Sequence, residues 1–137
     1  QTQNKVGNET STIKDAAFFK KAFNTLQDLI KERKIKAGHD IGSGGLITTL
    51  LEMSFAEIGL GAAYDLSVLG ENDTVKTLFN ENIGVVFQAD TEVEATFKAN
   101  GITIFKIGNH FCSVFVCIDS LSVKLPPVKT TLVFIPK

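Results

Sequence analysis

A glycine run set between an extended segment and an apolar helix constrains this chain more than any other feature. The stretch from Ala37 to Phe55 reads AGHDIGSGGLITTLLEMSF. A strand ending in His39-Asp40-Ile41 is expected to pass through Gly42-Ser43-Gly44-Gly45 into a helix starting near Leu46. Such a loop points several backbone N–H groups the same way, lets a ligand approach them closely, and has the positive end of a helix dipole behind it. It can therefore hold an anion. Leu46, Ile47, Leu50, Leu51, Met53 and Phe55 predict a well-buried helix that keeps the loop firm. The loop lacks the Lys-Ser/Thr of a P-loop and the GxGxxG spacing of a dinucleotide fingerprint. Taken alone, it reads equally as a tight connection. His39 and Asp40 point to opposite faces of their strand, so only one of them readily faces a ligand on the loop. His39 there could donate to a phosphate; Asp40 would brace the loop amides or His39.

The other motifs carry bland readings. With 137 residues the chain has the size of one domain. Its 44% apolar and 21% charged residues are ordinary for a globular protein. A net charge of −1 gives no overall pull towards nucleic acid or an anionic membrane. Lys20, Lys21, Lys31, Arg33, Lys34 and Lys36 alternate with Asp28 and Glu32 on one helix, without a stacking pattern of aromatics. That is a solvated face, and nucleic acid is not an expected partner. No run of about eighteen apolar residues is present, so no membrane span is expected. Cys112 and Cys117 fall on opposite faces of one strand and do not pair; two reduced thiols fit a cytoplasmic protein. With His110 they match no zinc spacing, so no metal site is expected. Glu81 and Glu92 read as solvent-facing caps. Residues 1–12 form a polar lead-in beginning at Gln1, which reads as the interior of a longer chain.

The pattern of elements gives the fold class. Phe19, Phe23, Leu26, Leu29 and Ile30 recur at helical spacing and predict a helix from Ala16 to about Arg33, capped by Ser11 or Thr12. Ile35–Ile41 is a strand. Gly59 and Gly61 mark a turn, Ala62–Leu69 is a strand, and Asn72 or Asp73 caps a short helix over Thr74–Asn80. Ile83–Ala89 is a buried strand. A helix over Thr91–Asn100, capped by Asp90 or Thr91, closes on Asn100-Gly101. Ile102–Ile107 is a strand that turns at Gly108-Asn109 to pair with Phe111–Ile118. Pro126-Pro127 divides the tail, Leu121 to Ile135, into two edge pieces. The order from residue 62 is β-α-β-α-β-β, close to a ferredoxin-like half with an extra hairpin. The class is α+β, with a mixed or antiparallel sheet and helices on its faces.

These residues also resemble a known family. Ala37–Ala56, with HDI, GGLITTLLEM and FA in sequence, is similar to the motif of phosphoribosylformylglycinamidine synthase, an ATP- and glutamine-dependent ligase of purine biosynthesis. Lys5-Val6-Gly7, Ile13-Lys14-Asp15 with the Phe-rich helix, Leu78–Gln88, and Gly101-Ile102 with Ile107-Gly108 extend the likeness over about residues 3–110. The resemblance implies a single C-terminal-type domain over 13–137, cut from a larger enzyme of the aminoimidazole ribonucleotide synthetase superfamily. That domain would be a three-layer α/β/α unit with a mixed sheet and partly ferredoxin-like topology. Its glycine loop, Gly42, Ser43, Gly44 and Gly45, would bind the phosphate end of formylglycinamide ribonucleotide, with His39 and Asp40 in support. Gly42 stands where the family has Ser, and Ser43 where it has Asp or a small residue, so the binding would rest on backbone amides. ATP and magnesium would sit in the N-terminal-type domain and ammonia would come from a glutaminase domain, so the isolated chain is expected to be inactive. The remaining domains of the enzyme are the implied partners, and the sheet is a candidate dimer surface. The alternative is a non-catalytic docking module of the same superfamily, whose glycine loop only packs.

Overall fold

The computed structural model describes residues 13–55, 60–112 and 129–134. The lead-in over 1–12, Cys117 and the proline pair lie outside them. Among the described residues four α-helices and five strands follow one another in the order α1 (Ala16–Lys31), β1 (Ile35–Asp40), α2 (Gly45–Ser54), β2 (Leu60–Tyr64), α3 (Thr74–Leu78), β3 (Val85–Ala89), α4 (Glu92–Ala99), β4 (Phe105–Cys112) and β5 (Lys129–Phe134). A 3-10 turn, Ser67–Leu69, sits between β2 and α3.

The sheet has the order β1-β3-β5-β4-β2. All four neighbouring pairs are antiparallel, one of the two arrangements the element pattern allows, and not the mixed sheet that the resemblance implies. The reason lies in where β5 goes. Strands β3 and β4, joined through α4, both run antiparallel to β5 and therefore parallel to each other. Adjacent, they would have formed a parallel pair; β5 inserts between them.

That insertion also corrects two readings of the tail. The segment after Pro126-Pro127 is a central strand, not an edge piece. Its KTTLVF sequence is rich in β-branched residues, and the prolines precede the strand, so no ladder donor is lost. Gly108-Asn109 is likewise no hairpin turn: β4 runs straight through both residues, and the expected partner Phe111–Ile118 begins inside the same strand. The register of β4 against β5 shifts between Lys106 and Gly108. A Cβ on Gly108 would collide with the Ala63 carbonyl of β2. The glycine therefore serves a bulge where two backbones approach closely.

Strand alternation on β3 sends its side chains into two cores. On one face Phe87 and Ala89 pack with Ala22, Leu26 and Leu29 of α1 and with Val93 and Phe97 of α4. The Phe87 and Phe97 rings stack with centroids 5.4 Å apart. On the other face Val86 packs with Leu46 and Leu50 of α2, with Ile41 and with Ile107. Helix α4 ends in a Schellman cap, with Ile102 N donating to the Phe97 carbonyl, Gly101 N to that of Lys98, and Gly101 at φ +64°.

Both longer helices bury a narrower stripe than their apolar residues suggest. Helix α1 is capped by Asp15, whose side chain accepts from Phe18 N, rather than by Ser11 or Thr12. It buries Ala22, Leu26 and Leu29 and leaves Phe23 and Ile30 exposed. Helix α2 buries Leu46 and Leu50, whereas Leu51 is 51% and Phe55 72% exposed, so it is half-buried rather than well buried. In each case a helix packed on one face of a sheet hides only one stripe. The Ala62–Leu69 strand is shorter than expected, giving way after Tyr64 to the 3-10 turn, and Gly61 lies inside β2. Asp73 caps α3, its carboxylate accepting from Val75 N and Lys76 N.

Candidate functional site

The glycine loop leaves β1 at the end of the sheet where Asp40 pairs with Val85, the first residue of β3. The loop and the turn entering β3 therefore meet. Ile41 N extends the ladder by donating to the Gly84 carbonyl at 2.9 Å. Gly45 N donates to the Gly42 carbonyl at 3.0 Å, closing a tight turn. Gly44 and Gly45 both adopt the left-handed region, at φ +90° and +76°. Gly44 is the N-cap of α2 and offers no side chain to cap it. Gly45 lies against the main chain of Phe79 and Leu78, where a Cβ would come within 2.6 Å of the Phe79 carbonyl carbon. Gly42 and Ser43 are exposed.

An anion is already on this loop. The Gly44 amide donates to Glu81 Oε1 at 2.8 Å, across 37 positions of sequence. The sequence reading placed Glu81 as a solvent-facing cap. No local pattern marks its role, because the contact depends on strand pairing. The one available signal was its place four residues ahead of a buried strand. From Ala37 to Gly84 the sequence holds seven acidic residues and a single basic one, Lys76. A negatively charged ligand on the loop thus meets little side-chain cation from this segment.

His39 reaches α2, and the Asp40 carboxylate lies beside His39. His39 Nε2 lies 3.0 Å from Glu52 Oε2 on α2, and its Nδ1 lies 2.6 Å from the Asp40 carbonyl oxygen. A neutral ring, with one N–H, can donate to one of these oxygens; the imidazolium donates to both. The same Asp40 carbonyl accepts from Thr49 Oγ1 at 3.0 Å, and Thr49 is buried. These contacts tie the end of β1 to α2. The Asp40 carboxylate is 84% exposed and 3.6 Å from His39 Nδ1, while Glu81 braces the loop amide.

Tyr64, the last residue of β2, packs against the buried cluster of Ile41, Leu46, Leu50, Val86 and Ile107. Burial pushes the Tyr64 phenol above its usual range, and a hydrogen bond with Ser54 partly offsets this. Asp65 is held below the ordinary carboxylate value by the Ser67 hydroxyl and backbone N–H. Among the described residues no three His, Cys, Asp or Glu side chains group in a way that could hold a metal ion. No helix among them is long and apolar enough to cross a membrane.

Compared with known families, residues 2–110 match the model of the AIR synthase related protein, C-terminal domain. The match takes in the lead-in, the glycine loop, α3, β3 and α4, and ends within β4. No solved structure matches the chain.

Proposed function

The chain belongs to the AIR synthase related C-terminal domain family, and from that premise we propose that it is a domain of phosphoribosylformylglycinamidine synthase that cradles a substrate phosphate. Gly42, Ser43 and Gly44 form the cradle through their amides, Gly45 closes its turn by donating to the Gly42 carbonyl, and His39 and Asp40 fix the end of β1 beneath it. The observation that carries this reading is the carboxylate oxygen on the Gly44 N–H: the amide at the head of α2 donates to an anionic oxygen at 2.8 Å. A phosphate oxygen makes the same charge-assisted bond, with the helix dipole behind it. The donors are N–H groups, which suit phosphate oxygens and not a cation. ATP, magnesium and the ammonia source belong, in this reading, to other domains of a longer enzyme, which lies in the cytoplasm. The domain is then a three-layer α/β/α unit with partly ferredoxin-like topology. The two cores on opposite faces of β3, and β5 inserted between β3 and β4, support that arrangement.

The test is a titration of the isotope-labelled chain with ribose 5-phosphate, followed at each backbone amide. Saturable shifts centred on Gly42 to Leu46 are expected. Their absence at high ligand concentration, with the fold intact, overturns the phosphate reading.

One set of observations favours the docking-module alternative. Phe23 and Ile30 on α1, and Leu51 and Phe55 on α2, are large apolar side chains left open to solvent. Exposed apolar helix faces of this kind are what an adjoining domain covers.

A further inference from the structure

We propose that Glu81 is a tethered competitor for the anion on the glycine loop, and that its displacement sets how tightly the loop takes phosphate. The inference rests on the phosphate reading above and adds the regulation of that site. A carboxylate oxygen and a phosphate oxygen make the same kind of charge-assisted bond to a backbone N–H, so the two compete for the Gly44 donor. Glu81 holds that donor at 2.8 Å.

The tether is short and fixed at both ends. Gly45 is seated against the main chain of Leu78 and Phe79, and Ile41 N holds the Gly84 carbonyl. Asn80 Oδ1 accepts from Asn82 N at 2.8 Å, which shapes the turn that carries Glu81. A group held this close competes at a high effective concentration. Once displaced, its carboxylate still lies beside the loop as a like charge to the phosphate. Glu81 therefore opposes the ligand twice, by occupying the donor and by repelling what replaces it. The substitution that removes both effects is Glu81→Ala; Glu81→Gln removes the charge and keeps an oxygen able to accept from Gly44.

The experiment titrates inorganic phosphate into the 137-residue chain and into E81A and E81Q, reading the Gly44 to Leu46 amides by NMR, with circular dichroism to verify the fold. Phosphate is expected to bind E81A at least about tenfold more tightly than wild type, with E81Q between them, the size of effect that losing a charge-assisted competitor and a like charge gives. Equal affinity in all three chains, with shifts at the loop, overturns the competitor role and leaves the phosphate reading standing. Weaker binding by folded E81Q or E81A overturns it as well, since Glu81 would then support the ligand. No loop shift in any chain overturns both.

Discussion

Gly45 lies with its bare Cα against the main chain of Phe79, so close that a Cβ there would stand 2.6 Å from the Phe79 carbonyl carbon and 2.7 Å from its Cα. Backbone, not a flexible side chain, is in the way, and φ at Gly45 is +76°. Gly45→Ala is therefore expected to cost about 2–4 kcal/mol, from left-handed strain and forced separation of α2 from the end of α3. Gly42→Ala is the matched control: a Cβ there meets nothing within 4 Å, so the change should stay within about 0.5 kcal/mol. Urea unfolding of the two variants checks the contrast; comparable losses would show that the Phe79 contact is not what fixes the loop.

The stacked pair Phe87 and Phe97 sits in the core between the sheet and helices α1 and α4, with both side chains fully buried. Phe97→Ala should destabilise the chain by about 3–5 kcal/mol, combining lost transfer free energy with a cavity the sheet cannot fill. Phe23→Ala, on the exposed face of α1, should cost far less. Thermal melts of both variants give the comparison, and a similar loss from each would contradict the assignment of the buried stripe.

Tyr64 is the one tyrosine in the chain, so phenolate absorbance reports on it alone. Burial raises its native pKa above the ordinary value of 10.0. The unfolded chain then releases that proton first as pH rises. The stability this provides is fully present below the unfolded value and is lost as pH climbs through the native one. Tyr64→Phe should remove this alkaline component of the stability–pH profile. A native phenol that titrates at the ordinary value would refute the burial argument.

Asp73 caps α3 through bonds of 3.0 Å to Val75 N and 3.2 Å to Lys76 N. Asp73→Ala leaves those N–H groups without their cap and should cost about 1 kcal/mol. Because α3 ends at Phe79, against Gly45, amide exchange at Gly44 and Gly45 should speed up along with exchange in α3 itself. Faster exchange confined to α3 would show that the loop does not depend on it.

The order of helices and strands as far as α4 was legible from periodicity, because helix and strand spacing are local properties of the chain. The glycine loop could be placed for the same reason: left-handed residues at a helix start call for glycine, and the sequence supplies it at Gly44 and Gly45. Local pattern also named Asp73 as one of two caps for α3 and Asn100-Gly101 as the close of α4.

What tertiary structure decided was every choice between partners far apart in sequence. Gly108 looks like a turn until β2 approaches it, and the tail looks like an edge until β5 enters between β3 and β4. Phe23 looks like core as Leu26 does, yet the sheet and α4 take Leu26 with Ala22 and leave Phe23 exposed. Glu81 has no local reason to touch Gly44; pairing of Asp40 with Val85 brings them together. Spacing along a chain fixes which residues share a face, but which face is buried, and which charge meets which amide, depends on the free energy of packing distant segments against one another.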